Sequence, residues 1–242
     1  MFFFFDSKVH VAVIGDIVQS RKIVNRTEVQ SKLKALLAGI NEKYNDDIAS
    51  KFMITLGDEF QGLLQCGQNA MKIIEEIEMK MYPIQLRFGI GIGKITTEID
   101  FEQPLGSDGP AYYNARDMIN ELKKNEKKKK MPDADIMIAS EGDNESTDIL
   151  LNSILSLCTV IKKNWTARQR EVINVCSEYG DNQQEVALLL GITQSSVQKN
   201  LSNANYYSFK NAISTVSKAM MEIKRSNENQ ESNENHESNE KQ

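Results

Sequence analysis

The chain has 242 residues, with 29 Lys and Arg against 34 Asp and Glu for a formal charge of −5, and 40% hydrophobic and 26% charged residues. This length suits one large domain or two modest ones, and the balance is that of an ordinary globular protein, which excludes collagen, coiled-coil rods and a wholly disordered chain. No apolar run approaches the roughly 18 to 20 residues that span a bilayer, and Phe2–Phe5 is too short for a signal-peptide core, so a cytoplasmic protein without a membrane partner is expected.

In chain order, Val9–Ile14 reads as a strand and Arg26–Tyr44 as a helix whose apolar stripe is Leu33, Leu36, Leu37 and Ile40. Phe52–Thr55 and Gln61–Cys66 read as strands, Ala70–Met81 as an amphipathic helix, Ile84–Ile95 as a strand, Ala111–Lys123 as a helix and Ala134–Ser140 as a last strand. The order β-α-β-β-α-β, then α-β, predicts a ferredoxin-like core with one extra unit over residues 8–140. Composition breaks at Lys123–Asp133 and Glu141–Thr147 follow, the first with Lys127–Lys130 as a solvated hairpin or loop.

Beyond them the β signal ends. Ile149–Lys162, Ala167–Tyr179, Asn182–Leu190, Gln194–Asn205 and Tyr207–Arg225 carry helical spacing, so residues 148–225 predict an all-α domain and the fold class is α+β. From Ser226 to Gln242 the chain repeats S-N-E-N-x-E with five Glu and one Lys, an acidic tail (226–242) expected to be disordered. Cys66, Cys158 and Cys176 lack C-x-x-C or metal-ligand spacing and read as packed thiols, and Trp165 reads as a core anchor of the helical domain.

Glu185–Leu190 reads as a short helix ended by Gly191, with Thr193 as N-cap of the next helix. Ala187 lets two helices approach closely, and Val197 and Leu201 make an inner apolar stripe, which together form a helix-turn-helix plan. Its outward residues Gln194, Ser195, Ser196, Gln198, Lys199, Asn200 and Asn203 are of the types that read base edges in duplex DNA. Residues 160–225 carry nine Lys or Arg against five Asp or Glu, so attraction to phosphates should be modest and salt-sensitive. The segment from Trp165 to Ala204 resembles the DNA-binding modules of sigma-factor region 4 and of LuxR-type regulators.

Three motifs fall at strand ends: Gly15-Asp16-Ile17, Gly57-Asp58-Glu59-Phe60 and Arg87-Phe88-Gly89-Ile90-Gly91-Ile92-Gly93. Asp16 and Asp58, on neighbouring strand ends, are candidate ligands for Mg²⁺ or Mn²⁺ bound to a nucleoside triphosphate, or else capping carboxylates. The alternating glycines read either as tight packing or as the close approach of a ligand. These motifs resemble the nucleotide-cyclase superfamily, in which Asp16 and Asp58 would match the two metal ligands. Arg116, in Gly109–Arg116, would match the Arg that stabilises the transferring phosphate, with Tyr112 at the position of its partner Asn. No His, Ser or Cys arrangement suggests another catalytic centre, since His10 abuts a strand and His236 lies in the tail.

The pairing of Val13–Arg21 and Gly57–Gly62 with the Gln194–Val197 helix resembles the SatD family over nearly the whole chain to about residue 215. The resemblance implies the pairing of the two domains, and the two modules together are expected to make a DNA-binding regulator whose cyclase-like domain senses a nucleotide or dimerises, as a homodimer. The alternative reading is a metal-dependent nucleotide-converting enzyme, with catalytic Asp16, Asp58 and Arg116, localised by its helix-turn-helix.

Overall fold

The computed structural model describes residues 2–126, 133–180 and 182–239, with the side chains of Leu56 and residues 224–239 outside the description. In order come β1 (His10–Ile17), α1 (Arg26–Lys43), β2 (Ile48–Leu56), β3 (Glu59–Leu64), α2 (Ala70–Met81), β4 (Leu86–Gly93), α3 (Pro110–Asn125) and β5 (Ile136–Ser140). Then follow α4 (Glu145–Lys163), α5 (Ala167–Tyr179), α6 (Gln183–Leu190), α7 (Gln194–Asn203) and α8 (Tyr206–Asn239). The expected Lys127–Lys130 loop lies outside the described residues, as do the side chains of the expected acidic tail.

The strands form one five-stranded sheet in the order β2-β3-β1-β4-β5. β1 runs antiparallel to β3 and β4, β2 antiparallel to β3, and β5 parallel to β4. A strand sends alternate side chains to opposite faces, and the sequence uses this to build two unlike cores. Val11, Val13, Phe60, Leu64, Phe88, Ile90 and Ile92 join α1, α2, α4 and α8 in the larger one. Ala12, Ile14 and Leu63 meet Ala111, Tyr112, Ala115 and Ile119 of α3 on the opposite face.

The alternating glycines of β4 explain how α3 lies so close. A Cβ at Gly91 would overlap the Ala111 carbonyl oxygen, and one at Gly89 would stand 3.0 Å from Ile119 Cγ1 and overlap the Ala115 carbonyl. Three glycines on one strand face and two alanines on one helix face let backbone touch backbone, which is the packing reading of that motif.

Both sheet edges are covered. At β2, Lys51 N–H donates to the Phe101 carbonyl (2.9 Å) in the connection before α3. At β5 the cover is a helix whose side chains stand in for a strand. Asn152 donates to the Ile138 carbonyl (2.8 Å) and accepts from Ile138 N–H (2.7 Å), while Asp148 accepts from Ser140 N–H (2.8 Å). Thr159 Oγ1 accepts from Asp135 N–H (3.3 Å) and Ser156 donates to the Asp133 carbonyl (2.7 Å). Polar residues of α4 at helical spacing thus satisfy the row of backbone groups that an edge strand leaves open.

The helices α5, α6 and α7 share a second apolar cluster of Val172, Ile173, Cys176, Val186, Ala187, Val197 and Leu201. Trp165 packs against both this cluster and the main core, with its Nε1–H donating to the Ala204 carbonyl (2.7 Å) and its ring edge-on to Phe209 of α8 (centroids 4.9 Å). From there α8 enters the main core through Phe209, Ile213, Val216, Ala219, Met220 and Ile223. All three cysteines are buried free thiols.

Candidate functional site

Two places collect the chemistry. The first is the end of the sheet beneath α3. Register sets Asp16 opposite Glu59 on β3 and opposite Arg87 on β4, so three charged side chains form a row across three strands. All three residues are buried. α3 and its C-cap Glu126 supply a partner to each: Lys123 Nζ stands 3.2 Å from Asp16 Oδ1, Glu126 lies 3.1 Å from Arg87 Nη1, and Arg116 donates to Glu59. Within the row, Arg87 Nε sits 2.9 Å from Asp16 Oδ2.

That contact is an ion pair without hydrogen-bond alignment, since neither Arg87 Nε nor Nη1 has a hydrogen-bond partner. Glu59 Oε1 is likewise buried without one. Burial raises the Asp16 carboxyl above the ordinary carboxylate range, the charges of Lys123 and Arg87 draw it down, and nearby Asp58 adds a smaller upward push. Desolvation therefore outweighs attraction here, as it often does for buried ion pairs.

The structure does bring Asp16, Asp58 and Arg116 to one end of the sheet, but not as a metal-and-phosphate constellation. Both Asp16 oxygens already face cations, Lys123 and Arg87, and Arg116 is engaged by Glu59. Among the described residues, no group of three or more His, Cys, Asp or Glu is placed to hold a metal ion. Tyr112 is a core residue whose buried hydroxyl lacks a partner. The donor set does not fit Mg²⁺ or Mn²⁺ with a triphosphate, because the site carries its own cations. Sequence reasoning missed Lys123 and Glu126, since the register of α3 over the sheet is a tertiary fact that no local motif announces.

The second place is α7. Gly191 ends α6 in the left-handed conformation (φ 62°), which a glycine adopts without steric cost, and the Thr193 side chain accepts from Ser196 N–H as N-cap. Val197 and Leu201 are buried in the cluster with α5 and α6. Gln194, Ser195, Gln198, Lys199 and Asn203 are exposed, and so is Ser202, which the sequence reading left out. Ser196 and Asn200 are half-buried and bonded locally, Ser196 Oγ to Thr193 Oγ1 (2.8 Å) and Asn200 Nδ2 to the Ser196 carbonyl (2.8 Å). Gln198 is held by Tyr207 (3.2 Å) and Ser202 (3.2 Å), and accepts from Gln183 Nε2. The open face of α7 is therefore a polar strip at i, i+1, i+4, i+5, i+8 and i+9 with one cation, Lys199. No helix among the described residues is long and apolar enough to cross a membrane.

Solved structures similar to this one include a bacterial light-regulated adenylyl cyclase, at 15% identity and TM-score 0.39, over 54% of this chain and 74% of that one. Also similar are the guanylate cyclase domain of RhGC from Catenaria anguillulae in complex with GTP (16%, TM-score 0.35, 46% of this chain and 71% of that one) and the guanylyl cyclase Cya2 (10%, TM-score 0.34, 47% and 70%). No curated protein matches the chain. The model of the SatD family matches residues 10–219, from the first residue of β1 deep into α8. A match of that extent takes in the sheet, its charged row and the α5–α7 cluster alike, and the chain belongs to the SatD family.

Proposed function

We propose that this protein is a DNA-binding transcriptional regulator, with α6 and α7 as a helix-turn-helix and the ferredoxin-like sheet domain as the platform on which two chains pair. The observation that carries the reading is the α7 strip, polar and open on one side and anchored by Val197 and Leu201 on the other. Gln and Asn offer the donor and acceptor geometry that adenine accepts in a major groove, and Lys199 suits guanine or a phosphate. Ser196 and Asn200 shape this face from behind, through their bonds to the α7 backbone and its cap.

The test is selection of duplex DNA from a random pool by the intact chain, followed by titration of the selected duplex across a salt series. Gln198→Ala with Lys199→Ala should abolish the preference for the selected duplex over the pool. Loss of Lys199 alone should lower the slope of log K against log salt by about 1. Failure of the wild-type chain to enrich any sequence would overturn the reading. The rival reading, a metal-dependent enzyme acting on nucleoside triphosphates, is opposed by the ion pairs that occupy Asp16 and Arg116.

A further inference from the structure

Among the described residues, helix α4 is committed on two faces and unpartnered on the third. Its polar stripe of Asp148, Asn152, Ser156 and Thr159 is spent on β5 and the turn before it. A second stripe, Leu151, Leu155 and Cys158, lies in the main core. The face turned to solvent is nevertheless apolar, with Ile149 58%, Leu150 62%, Leu157 65% and Val160 44% exposed. A helix that keeps a further apolar face bare after its core stripe is buried is not arranged for a monomer in water.

We infer that this face is the homodimer interface, α4 packing antiparallel on α4 of a second copy about a two-fold axis at Ser153. The inference rests on the dimeric part of the proposed function and deepens it by naming the surface. Three features select a second copy over another occupant. Ser153 is the small residue midway along the stripe, and its hydroxyl donates to the Ile149 carbonyl (2.8 Å), so a close crossing there buries no unsatisfied group. The stripe is self-complementary about that point, because an antiparallel crossing sets Leu157 between Ile149 and Leu150 of the partner subunit. The ends match in charge as well: Asp143 and Glu145 precede or open the helix, while Lys163 closes it in an exposed ion pair with Asp133 (2.8 Å) that a partner carboxylate can share. The same crossing brings Lys163 toward the partner subunit's Asp143, as an isologous two-fold contact requires.

The test uses the full chain. Sedimentation over a concentration series should show a dimer that Leu157→Glu converts to monomer, with an unchanged circular-dichroism spectrum since Leu157 lies outside the core. Ser153→Cys under mild oxidation should yield a disulfide-linked dimer, and because the native thiols are buried, the unmodified chain should yield none. A monomer at every concentration, a dimer insensitive to Leu157→Glu, or a dimer whose Ser153→Cys form does not cross-link would each overturn the assignment. Gln198→Ala with Lys199→Ala should lose DNA preference and remain dimeric, so a failure of the DNA reading is separable from a failure of this interface.

Discussion

Replacing Glu75 by glutamine should stabilise the protein in a strongly pH-dependent way. Glu75 lies half-buried on α2, within the fields of Lys162 of α4 and Lys210 of α8. Burial, helped by the charge of Glu78, raises its carboxyl from the ordinary 4.5 to about 7, against the pull of Lys162 and Lys210. A group whose folded-state pKa is raised keeps its proton in the fold after the unfolded chain has released it. Stability is therefore lost as pH climbs from about 4.5 to about 7 and stays lost above that. At about 1.4 kcal/mol per pH unit the wild-type chain forfeits about 3 kcal/mol across the window, and a neutral amide forfeits none. For a chain of this size about 3 kcal/mol corresponds to roughly 6 to 12 °C in melting temperature. Thermal unfolding followed at 222 nm should show Glu75→Gln melting higher than wild type by that amount at pH 8, with the two curves drawing together by pH 5. Parallel curves at both pH values, or a variant that melts lower at pH 8, would refute the burial argument.

Two further outcomes follow from the sheet. Asp16→Asn should stabilise the chain at pH 7 but not at pH 3, because burial raises this carboxyl against the pull of Lys123 and Arg87, and Mg²⁺ or Mn²⁺ should leave the wild-type melting temperature unchanged. A destabilised Asp16→Asn at pH 7 would refute the desolvation argument, and a metal-dependent rise lost in that variant would restore the metal reading. Asn152→Ala removes both bonds to Ile138 at a cost of about 2 kcal/mol. Hydrogen exchange at the Ile138 amide should then quicken by roughly 30-fold, and unchanged protection would show that α4 does not guard that edge.

Much of this architecture is legible in the sequence because it rests on period. The helix at Ala70–Met81 and that at Ala167–Tyr179 fall where the spacing of apolar residues places them, and every strand is foreshadowed by a β-rich run. β2 begins at Ile48, earlier than the expected Phe52, because register shifts between Ile48 and Ser50 and between Ser50 and Met53 break the two-residue alternation that a sequence reading depends on. Helix α4 starts at Glu145 rather than Ile149, since its polar residues read as a solvated loop when their real partners, the backbone groups of β5, are unknown. At the sheet end the carboxylates could be found but not their counterions. Lys123 sits in a run of lysines that looks like solvated charge, and only the glycine-floored seat of α3 brings it to Asp16. On α7 the open face follows directly from helical periodicity, whereas the inward turn of Ser196 and Asn200 depends on bonds to the cap and backbone.

The passage of α8 out of the α5–α7 cluster and into the main core, with Trp165 wedged between them, makes the link between α7 and the sheet a strut and not a tether. A tethered head tolerates variable gaps between its targets, whereas a strutted one works like a fixed caliper. Two such chains joined through α4 would measure a single centre-to-centre distance along a duplex. A few base pairs inserted between half-sites would then rotate one target out of reach, and inserting a full helical turn would not bring it back.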